Sequence, residues 1–256
     1  MKKAILSVSY GSSDKAQIES TISRVEDQYR REFPEAVIFR AFTSRHVIGS
    51  LGKAGIHVDT VPEALDRIKD AGFDEVYIQP THILSGGEYD VISDSAGART
   101  DEFDVIRVGK PLLDSEADNE FICNFFEYEL ASANHAILLM GHGSAHSDNI
   151  KYAKLQETAK RLGYRDIFIM TLEAEPSVQD VIPMIREAGY DKIFLTPLLF
   201  GAAGHARRDM AGDEPGSVAS VLRSEGFEVE CLVKGLGEYD EFAKLYAEHL
   251  RRAVEG

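Results

Sequence analysis

The strongest constraint on the fold is an internal repeat. Residues 71–89 align with residues 188–206 without a gap, and Ile5–Ser13 resembles Ile137–Ser144. The identical pairs in the first alignment are Ala71/Ala188, Gly72/Gly189, Asp74/Asp191, Pro80/Pro197 and Gly87/Gly204. Two copies of one pattern predict two similar domains, since each copy specifies the same elements. We expect an N-terminal domain over residues 1–132 and a C-terminal domain over residues 133–256.

Each half alternates short apolar runs with longer amphipathic stretches. The predicted strands are Ala4–Val8, Ala36–Ala41, Glu75–Gln79, Val105–Val108, Ala136–Met140, Asp166–Met170, Lys192–Leu198 and Glu228–Val233. The predicted helices are Gln17–Phe33, Val61–Ala71, Asn119–Ala131, Asp148–Leu162, Val178–Ala188, Ser217–Glu225 and Glu238–Val254. This alternation is typical of a parallel sheet covered by helices. It predicts an α/β protein of two similar lobes, each a mainly parallel sheet flanked by helices, with a cleft between them.

Charge and cysteine content exclude several classes of protein. The chain has 28 Lys and Arg against 43 Asp and Glu, a net charge of −15, which excludes general affinity for nucleic acid or an anionic membrane. The two cysteines, Cys123 and Cys231, form no CxxC motif, so neither a disulfide framework nor a thiolate zinc site is predicted. No apolar run approaches the roughly 20 residues of a membrane span. We predict a cytoplasmic protein, with a leader peptide that has been removed as the alternative.

Polar residues follow three consecutive predicted strands of the second half. They are His142 in a Gly-His-Gly-Ser turn, Glu173 and Glu175 before a proline, and His205. Ligands of open α/β sheets bind at the carboxyl ends of strands. Two imidazoles and a carboxylate suit a divalent transition metal such as cobalt, iron, nickel or zinc. Neutral imidazole, with an ordinary pKa of about 6.5, can also accept a proton near neutral pH.

Glu88 aligns with His205 in the repeat. Two lobes related by a pseudo-twofold axis would place Glu88 on the opposite wall of the cleft, as a proton acceptor facing the metal wall. The simpler alternative is an exposed acid in a turn formed by residues 86–89.

Three further features of the first half are candidates for ligand binding. The turn of Gly11, Ser12 and Ser13 could cradle phosphate, but no segment matches a Walker or dinucleotide fingerprint, so no nucleotide is predicted. Arg45 follows a predicted strand and is a candidate cation for an acidic ligand. His82 follows another strand and is equally well placed.

Six segments together resemble one known family, the anaerobic-pathway sirohydrochlorin cobaltochelatases. In chain order they are residues 9–13, 41–45, 82–89, 141–144, 173–176 and 204–213. The HARxDMAGD pattern that begins at His205 is the most specific element. The Gly-His-Gly pattern around His142 is shared with other class II chelatases, including ferrochelatases. The resemblance covers almost the whole chain.

This resemblance implies a two-lobed, ATP-independent chelatase, a lyase that inserts Co²⁺ into sirohydrochlorin on the way to cobalamin. The family holds the metal with two histidines and one glutamate, which correspond to His142, Glu173 and His205. Glu173 is preferred to Glu175 because it stands three residues before Pro176, as the family's glutamate does. His142 is the main base as well as a ligand, and Glu88 matches the glutamate of the family's GxEY segment.

The same resemblance implies a set of substrate-binding residues. They are Tyr10, Ser12, Ser13, Ser44, Arg45, Gly86, Gly87 and Tyr89. Sirohydrochlorin is polyanionic, so Arg45, Arg207, Arg208 and backbone N–H groups must offset the net negative charge locally. One departure from the family lies in residues 82–87, where the family has an asparagine near the position of Ser85.

Several alternatives remain open at this point. Histidine and glutamate ligands do not separate Co²⁺ from Fe²⁺, so a ferrochelatase acting on sirohydrochlorin or protoporphyrin is the closest rival, and Ni²⁺ or Zn²⁺ could replace either metal. A non-catalytic tetrapyrrole or metal carrier and a two-lobed small-molecule binding protein are rivals of another class. The expected partner is sirohydrochlorin or a related tetrapyrrole, with no nucleic acid and no membrane, and a homo-oligomer is left open.

Overall fold

The computed structural model describes residues 2–132, 134–202 and 204–256. Ala133, at the predicted domain boundary, lies outside the described residues. Within them, no helix combines the length and apolar character needed to cross a bilayer. The chain divides into two compact units, residues 1–112 with 237–256, and residues 113–236.

The first unit is built on a four-stranded parallel sheet. Its strands are β1 (Lys3–Ser9), β2 (Ala36–Phe42), β3 (Glu75–Pro80) and β4 (Val105–Val108), in the order β2-β1-β3-β4. Its helices are α1 (Lys15–Gln17), α2 (Arg24–Glu32), α3 (Arg45–Lys53), α4 (Val61–Asp70), α5 (Gly87–Gly97) and α10 (Asp240–Glu255). A π-helical segment, Ile18–Ser23, joins α1 to α2.

The second unit repeats this plan. Its strands are β5 (His135–Gly141), β6 (Ile167–Thr171), β7 (Lys192–Pro197) and β8 (Glu228–Cys231), in the order β6-β5-β7-β8. Its helices are α6 (Glu116–Leu130), α7 (Ile150–Leu162), α8 (Val178–Glu187) and α9 (Val218–Ser224), and His205–Met210 is π-helical. Equivalent strand order confirms the predicted α/β class, with two parallel sheets flanked by helices.

Each core lies where helices cover both faces of the central strands. All four residues from Ile137 to Met140 in β5 are fully buried. Strands covered on both faces are expected to be continuously apolar, which is why β5 was recognisable from the sequence.

Two helices belong to a different unit from the one expected with a domain boundary between residues 132 and 133. Helix α6 packs in the second unit, where Arg161 Nη2 of α7 donates to Glu120 Oε1 at 2.7 Å. Helix α10 packs in the first unit, where the Tyr246 hydroxyl donates to the Thr81 carbonyl at 3.0 Å and His249 Nδ1 to the Lys110 carbonyl at 3.2 Å. A helix joins the sheet that its apolar face covers, whatever its place in the chain.

Candidate functional site

His142 follows β5 directly, and the two glycines beside it shape the turn. A Cβ atom on Gly141 would lie 2.4 Å from Cε1 of Tyr152. Gly143 has φ of +80°, and a Cβ there would lie 2.8 Å from Cβ of Thr171. Only glycine fits both positions without movement of its neighbours. The turn therefore presents a single imidazole at the carboxyl end of the sheet.

Tyr152 of α7 is hydrogen-bonded to the backbone of this turn. Burial raises the pKa of its hydroxyl to about 12, while backbone hydrogen bonds from Gly143 and His142 act in the opposite direction. The phenol therefore stays neutral, and its oxygen fixes two N–H groups of the turn.

The loop after β6 is hydrogen-bonded to the same turn. The Glu173 N–H donates to the His142 carbonyl at 2.9 Å, and Glu173 Oε2 lies 3.7 Å from His142 Nδ1. Glu175 instead contributes its backbone carbonyl, which accepts from Asn149 Nδ2 at 2.8 Å. Of the two candidate glutamates, Glu173 is thus the one whose carboxylate lies beside His142.

His205 begins the π-helical segment that follows β7. Its ring centroid lies 4.7 Å from that of His142, with the two rings perpendicular. Ala206 and Met210 of the same segment are fully buried in the core of the second unit. A Cβ on Gly212 would lie 2.3 Å from the Arg208 carbonyl oxygen, so glycine allows the segment to end in a tight turn. The HARxDMAGD pattern thus anchors one face of the segment and exposes His205.

Both imidazoles have their Nδ1 atom engaged. His142 Nδ1 lies 3.0 Å from the Gly143 carbonyl oxygen, and His205 Nδ1 lies 2.6 Å from Asp209 Oδ2. A carbonyl or carboxylate oxygen only accepts hydrogen bonds, so each Nδ1 carries a proton and each neutral ring keeps its lone pair on Nε2. Asp209 was not among the predicted site residues, although its spacing of four residues from His205 was visible.

The predicted metal ligands therefore meet in the second unit, but they do not form a finished metal site. Within the described ranges, no group of three or more His, Cys, Asp or Glu side chains is arranged to hold a metal ion. Glu173 lies on the Nδ1 side of His142, whereas a metal requires the Nε2 lone pair. The side chains of His142, Glu173 and His205 are 40%, 60% and 48% exposed, so space remains around each of them.

Glu88 is the second residue of α5, in the first unit, and is half-buried. The predicted turn over residues 86–89 is wrong in this respect, since Gly86 is the N-cap and the helix begins at Gly87. A carboxylate in the first turn is favoured by the partial positive charge of the helix N-terminus.

The predicted substrate-binding residues all lie in the first unit, at or after strand ends. Tyr10 is 54% exposed, and Ser13 and Arg45 are also exposed. Ser12 Oγ accepts from the Asp14 N–H at 3.1 Å. Ser44 is buried, and its hydroxyl caps α3 by accepting from the Val47 N–H at 3.4 Å, so this hydroxyl serves the helix.

The remaining predicted contacts lie around the start of α5. A Cβ atom on Gly86 or Gly87 would meet no atom within 4 Å, so both glycines leave open space. The Tyr89 hydroxyl donates to the Gly109 carbonyl at 3.3 Å.

His82 is an unusual group just before this helix. Part of the residue is exposed, but both ring nitrogens are buried and have no hydrogen-bond partner. Burial lowers the pKa of its imidazole to about 4. The sequence placed His82 at a strand end but gave no sign of this burial.

Comparison with known proteins decides the family. A family model described as cobalt chelatase (CbiK) matches residues 3–255. The chain belongs to this family. The resemblance seen in the sequence motifs is thereby confirmed.

Two curated relatives of the cobalt chelatase family support this assignment. A sirohydrochlorin cobaltochelatase from Salmonella typhimurium is 32% identical over 99% of this chain and 97% of its own length. A second from Nitratidesulfovibrio vulgaris, sirohydrochlorin cobaltochelatase CbiKC, is 31% identical over 99% of this chain and 91% of its own length.

Solved chelatase structures share the fold of this family member. SirB from Bacillus subtilis with Fe³⁺ matches with a TM-score of 0.68 and 16% identity, covering 99% of this chain and 96% of SirB. CbiX, described as the terminal enzyme of siroheme biosynthesis in denitrifying bacteria, matches with a TM-score of 0.56 and 17% identity, covering 99% of both chains. At these identities the likeness establishes the fold alone.

Proposed function

We propose that this protein is an enzyme that inserts Co²⁺ into sirohydrochlorin without ATP, a step that serves cobalamin synthesis. The observation that carries the proposal is the meeting of His142, Glu173 and His205 at the strand ends of the second unit. The names of two relatives that are 32% and 31% identical across 99% of this chain support the choice of metal and tetrapyrrole.

The metal is a substrate in this proposal, held only until it is transferred. His142 and His205 offer Nε2 lone pairs, and Glu173 offers a carboxylate oxygen. Imidazole and carboxylate ligands suit a divalent transition metal and still allow it to leave. Rotation of the exposed Glu173 side chain away from His142 Nδ1 brings its carboxylate to the ion that the two imidazoles hold.

Metal insertion releases two protons for each divalent ion, because the two pyrrole N–H groups must be deprotonated as the metal enters. We assign proton removal to His142 and Glu88. Neutral imidazole and carboxylate are both suited to this role near neutral pH, whereas a guanidinium group is not.

Binding of the polyanionic macrocycle is assigned to the first unit. We propose contacts from Tyr10, Ser12, Ser13, Arg45, Gly86, Gly87 and Tyr89. Ser44 is left out because its side chain is buried. Arg45, at the exposed start of α3, supplies a charge complementary to a substrate carboxylate.

An anaerobic metallation assay tests the proposal. Purified protein is incubated with sirohydrochlorin or protoporphyrin and with Co²⁺, Fe²⁺, Ni²⁺ or Zn²⁺ in turn, and absorption spectra are followed. We expect multiple turnovers with sirohydrochlorin and Co²⁺. Turnover with Fe²⁺ alone would make the protein a ferrochelatase, and one equivalent of product without turnover would make it a carrier.

A further inference from the structure

Asp209 forms a close pair with one proposed metal ligand. It lies four residues after His205 on the π-helical segment, and its Oδ2 is 2.6 Å from His205 Nδ1. The two side chains are 44% and 48% exposed. Pairs as exposed as this contribute little to folding stability, because water and salt screen them. Stabilisation of the segment therefore does not account for the pair.

We propose that Asp209 is a positioning residue that prepares His205 to bind the metal, an inference that rests on the proposed function. By accepting from Nδ1, the carboxylate fixes the ring tautomer, so the lone pair resides on Nε2. It also fixes the plane of the ring and makes the Nε2 lone pair a stronger ligand for a metal. Carboxylates that accept a hydrogen bond from metal-binding histidines have this effect.

The surrounding segment holds Asp209 in this role. Ala206 and Met210, which flank the pair on the buried face, are both fully buried. The Gly212 N–H donates to the Arg208 carbonyl at 3.2 Å, which closes the segment just after Asp209. The backbone that carries both side chains is thus fixed at both ends of the pair, and the hydrogen bond between Nδ1 and Oδ2 restricts the side-chain torsions.

His142 shows the same arrangement with a different partner. Its Nδ1 donates to the Gly143 carbonyl, so its tautomer is fixed by the backbone of its own turn. His205 has the carboxylate of Asp209 instead, which carries a full negative charge. Of the two supports, only that of His205 can be removed by a side-chain substitution.

The experiment compares Asp209→Ala with Asp209→Asn in the full chain. Co²⁺ affinity of the metal-free protein is measured by calorimetry, and the tautomer of His205 by ¹⁵N NMR of the imidazole nitrogens. We expect Asp209→Ala to weaken Co²⁺ binding about 10- to 100-fold and to free the tautomer. Asp209→Asn retains an oxygen that accepts from Nδ1, so it should keep the tautomer and recover part of the affinity.

Asp213→Ala is the matched control, because it removes an exposed carboxylate four residues further along and should leave affinity and tautomer unchanged. If Asp209→Ala binds Co²⁺ as tightly as the parent protein while His205→Ala does not, this inference is overturned and the proposed function stands.

If His205→Ala itself binds Co²⁺ as tightly as the parent protein, the proposed metal site is removed. An Nε2-protonated His205 in the parent protein, read from NMR alone, would also overturn the role of Asp209. Equal losses in Asp209→Ala, Asp209→Asn and His205→Ala would make Asp209 a direct ligand.

Discussion

The proposed mechanism assigns metal binding and proton transfer to overlapping but different sets of residues. His142 offers a lone pair that can serve either step, whereas Glu88 lies in the other compact unit from the three proposed ligands. Substitutions at these two positions should therefore have different effects on Co²⁺ affinity and on rate.

Glu88→Gln keeps the size and hydrogen-bonding capacity of the side chain and removes its charge. Loss of a well-placed acid–base group typically costs about 10²- to 10⁴-fold in rate, so we expect a loss of this size with Co²⁺ affinity little changed. His142→Ala should reduce both quantities. Asp90→Asn, an exposed acid in the first turn of the same helix, is the control. If Glu88→Gln inserts the metal at the parent rate, Glu88 has no role in proton removal.

His82 predicts a pH dependence of stability that is separate from catalysis. The pKa of its imidazole is about 4 in the folded protein and about 6.5 when unfolded, so between these values the unfolded state binds more protons. Stability is therefore fully present above pH 6.5 and is lost as the pH falls towards 4, by about 3 kcal/mol in total. His82→Leu should lack this loss, as measured by denaturant unfolding at pH 7 and pH 4.5. If the parent and His82→Leu lose the same free energy of unfolding between pH 7 and pH 4.5, protonation of His82 does not cause the loss.

Secondary-structure elements differ in how far the sequence predicted them. All eight predicted strands were located to within two residues at either end, because most of them are short apolar runs between polar segments. Helices α3 and α5 and the π-helical segment His205–Met210 were missed. Helix α5 has glycine at both of its ends and a weakly amphipathic pattern, so it shows no clear apolar stripe. Helix α3 is amphipathic, but it is only nine residues long and contains two glycines, which lower its helix propensity.

These missed elements carry parts of the candidate site. Glu88 was expected in a turn because α5 was not recognised. The pair of His205 and Asp209 requires a helical backbone that brings residues four apart together, so it could not be inferred from a predicted loop. The residue types of the site and the proximity of His142, Glu173 and His205 were predicted from the sequence, while the contact between His205 and Asp209 was not.

The Gly-His-Gly turn offers a test at the scale of one element. Gly143→Ala introduces a Cβ 2.8 Å from Thr171 at a residue with φ of +80°, so the turn must shift. We expect lower thermal stability together with weaker Co²⁺ binding. Gly163→Ala is the matched control, because Gly163 has φ of +89° but open space around its Cβ position. Equal Co²⁺ affinity in the two variants would show that the turn does not position His142.

At the scale of the whole molecule, the two units share a strand order but not their chemistry. In the repeat, the positions of His142 and His205 in the second unit correspond to Tyr10 and Glu88 in the first. The repeat predicted the common architecture, since both copies keep the apolar strands. It could not predict that α6, from the first half of the sequence, packs in the second unit, or that α10, from the second half, packs in the first unit.

Helix α10 should be indispensable to the first unit. Phe242, Tyr246 and Leu250 are fully buried on it, and burial of each such side chain is worth roughly 1.5–3 kcal/mol. Their sum approaches the typical total stability of about 5–15 kcal/mol. Deletion of residues 237–256 should therefore abolish cooperative unfolding of the first unit, as followed by circular dichroism and hydrogen exchange. Deletion of residues 255–256 should leave it intact, and native-like exchange protection in the longer deletion would contradict the role of α10.

The return of α10 also sets an order of maturation on the ribosome. Residues 113–236 have every strand and helix of their unit once Leu236 has been synthesised. Residues 1–112 of the first unit are synthesised before the second unit, but their sheet is not fully covered until residues 237–256 have followed. The part of the protein that is translated first is therefore completed last, and a message truncated near its end would release a chain with a finished second unit and an open first one.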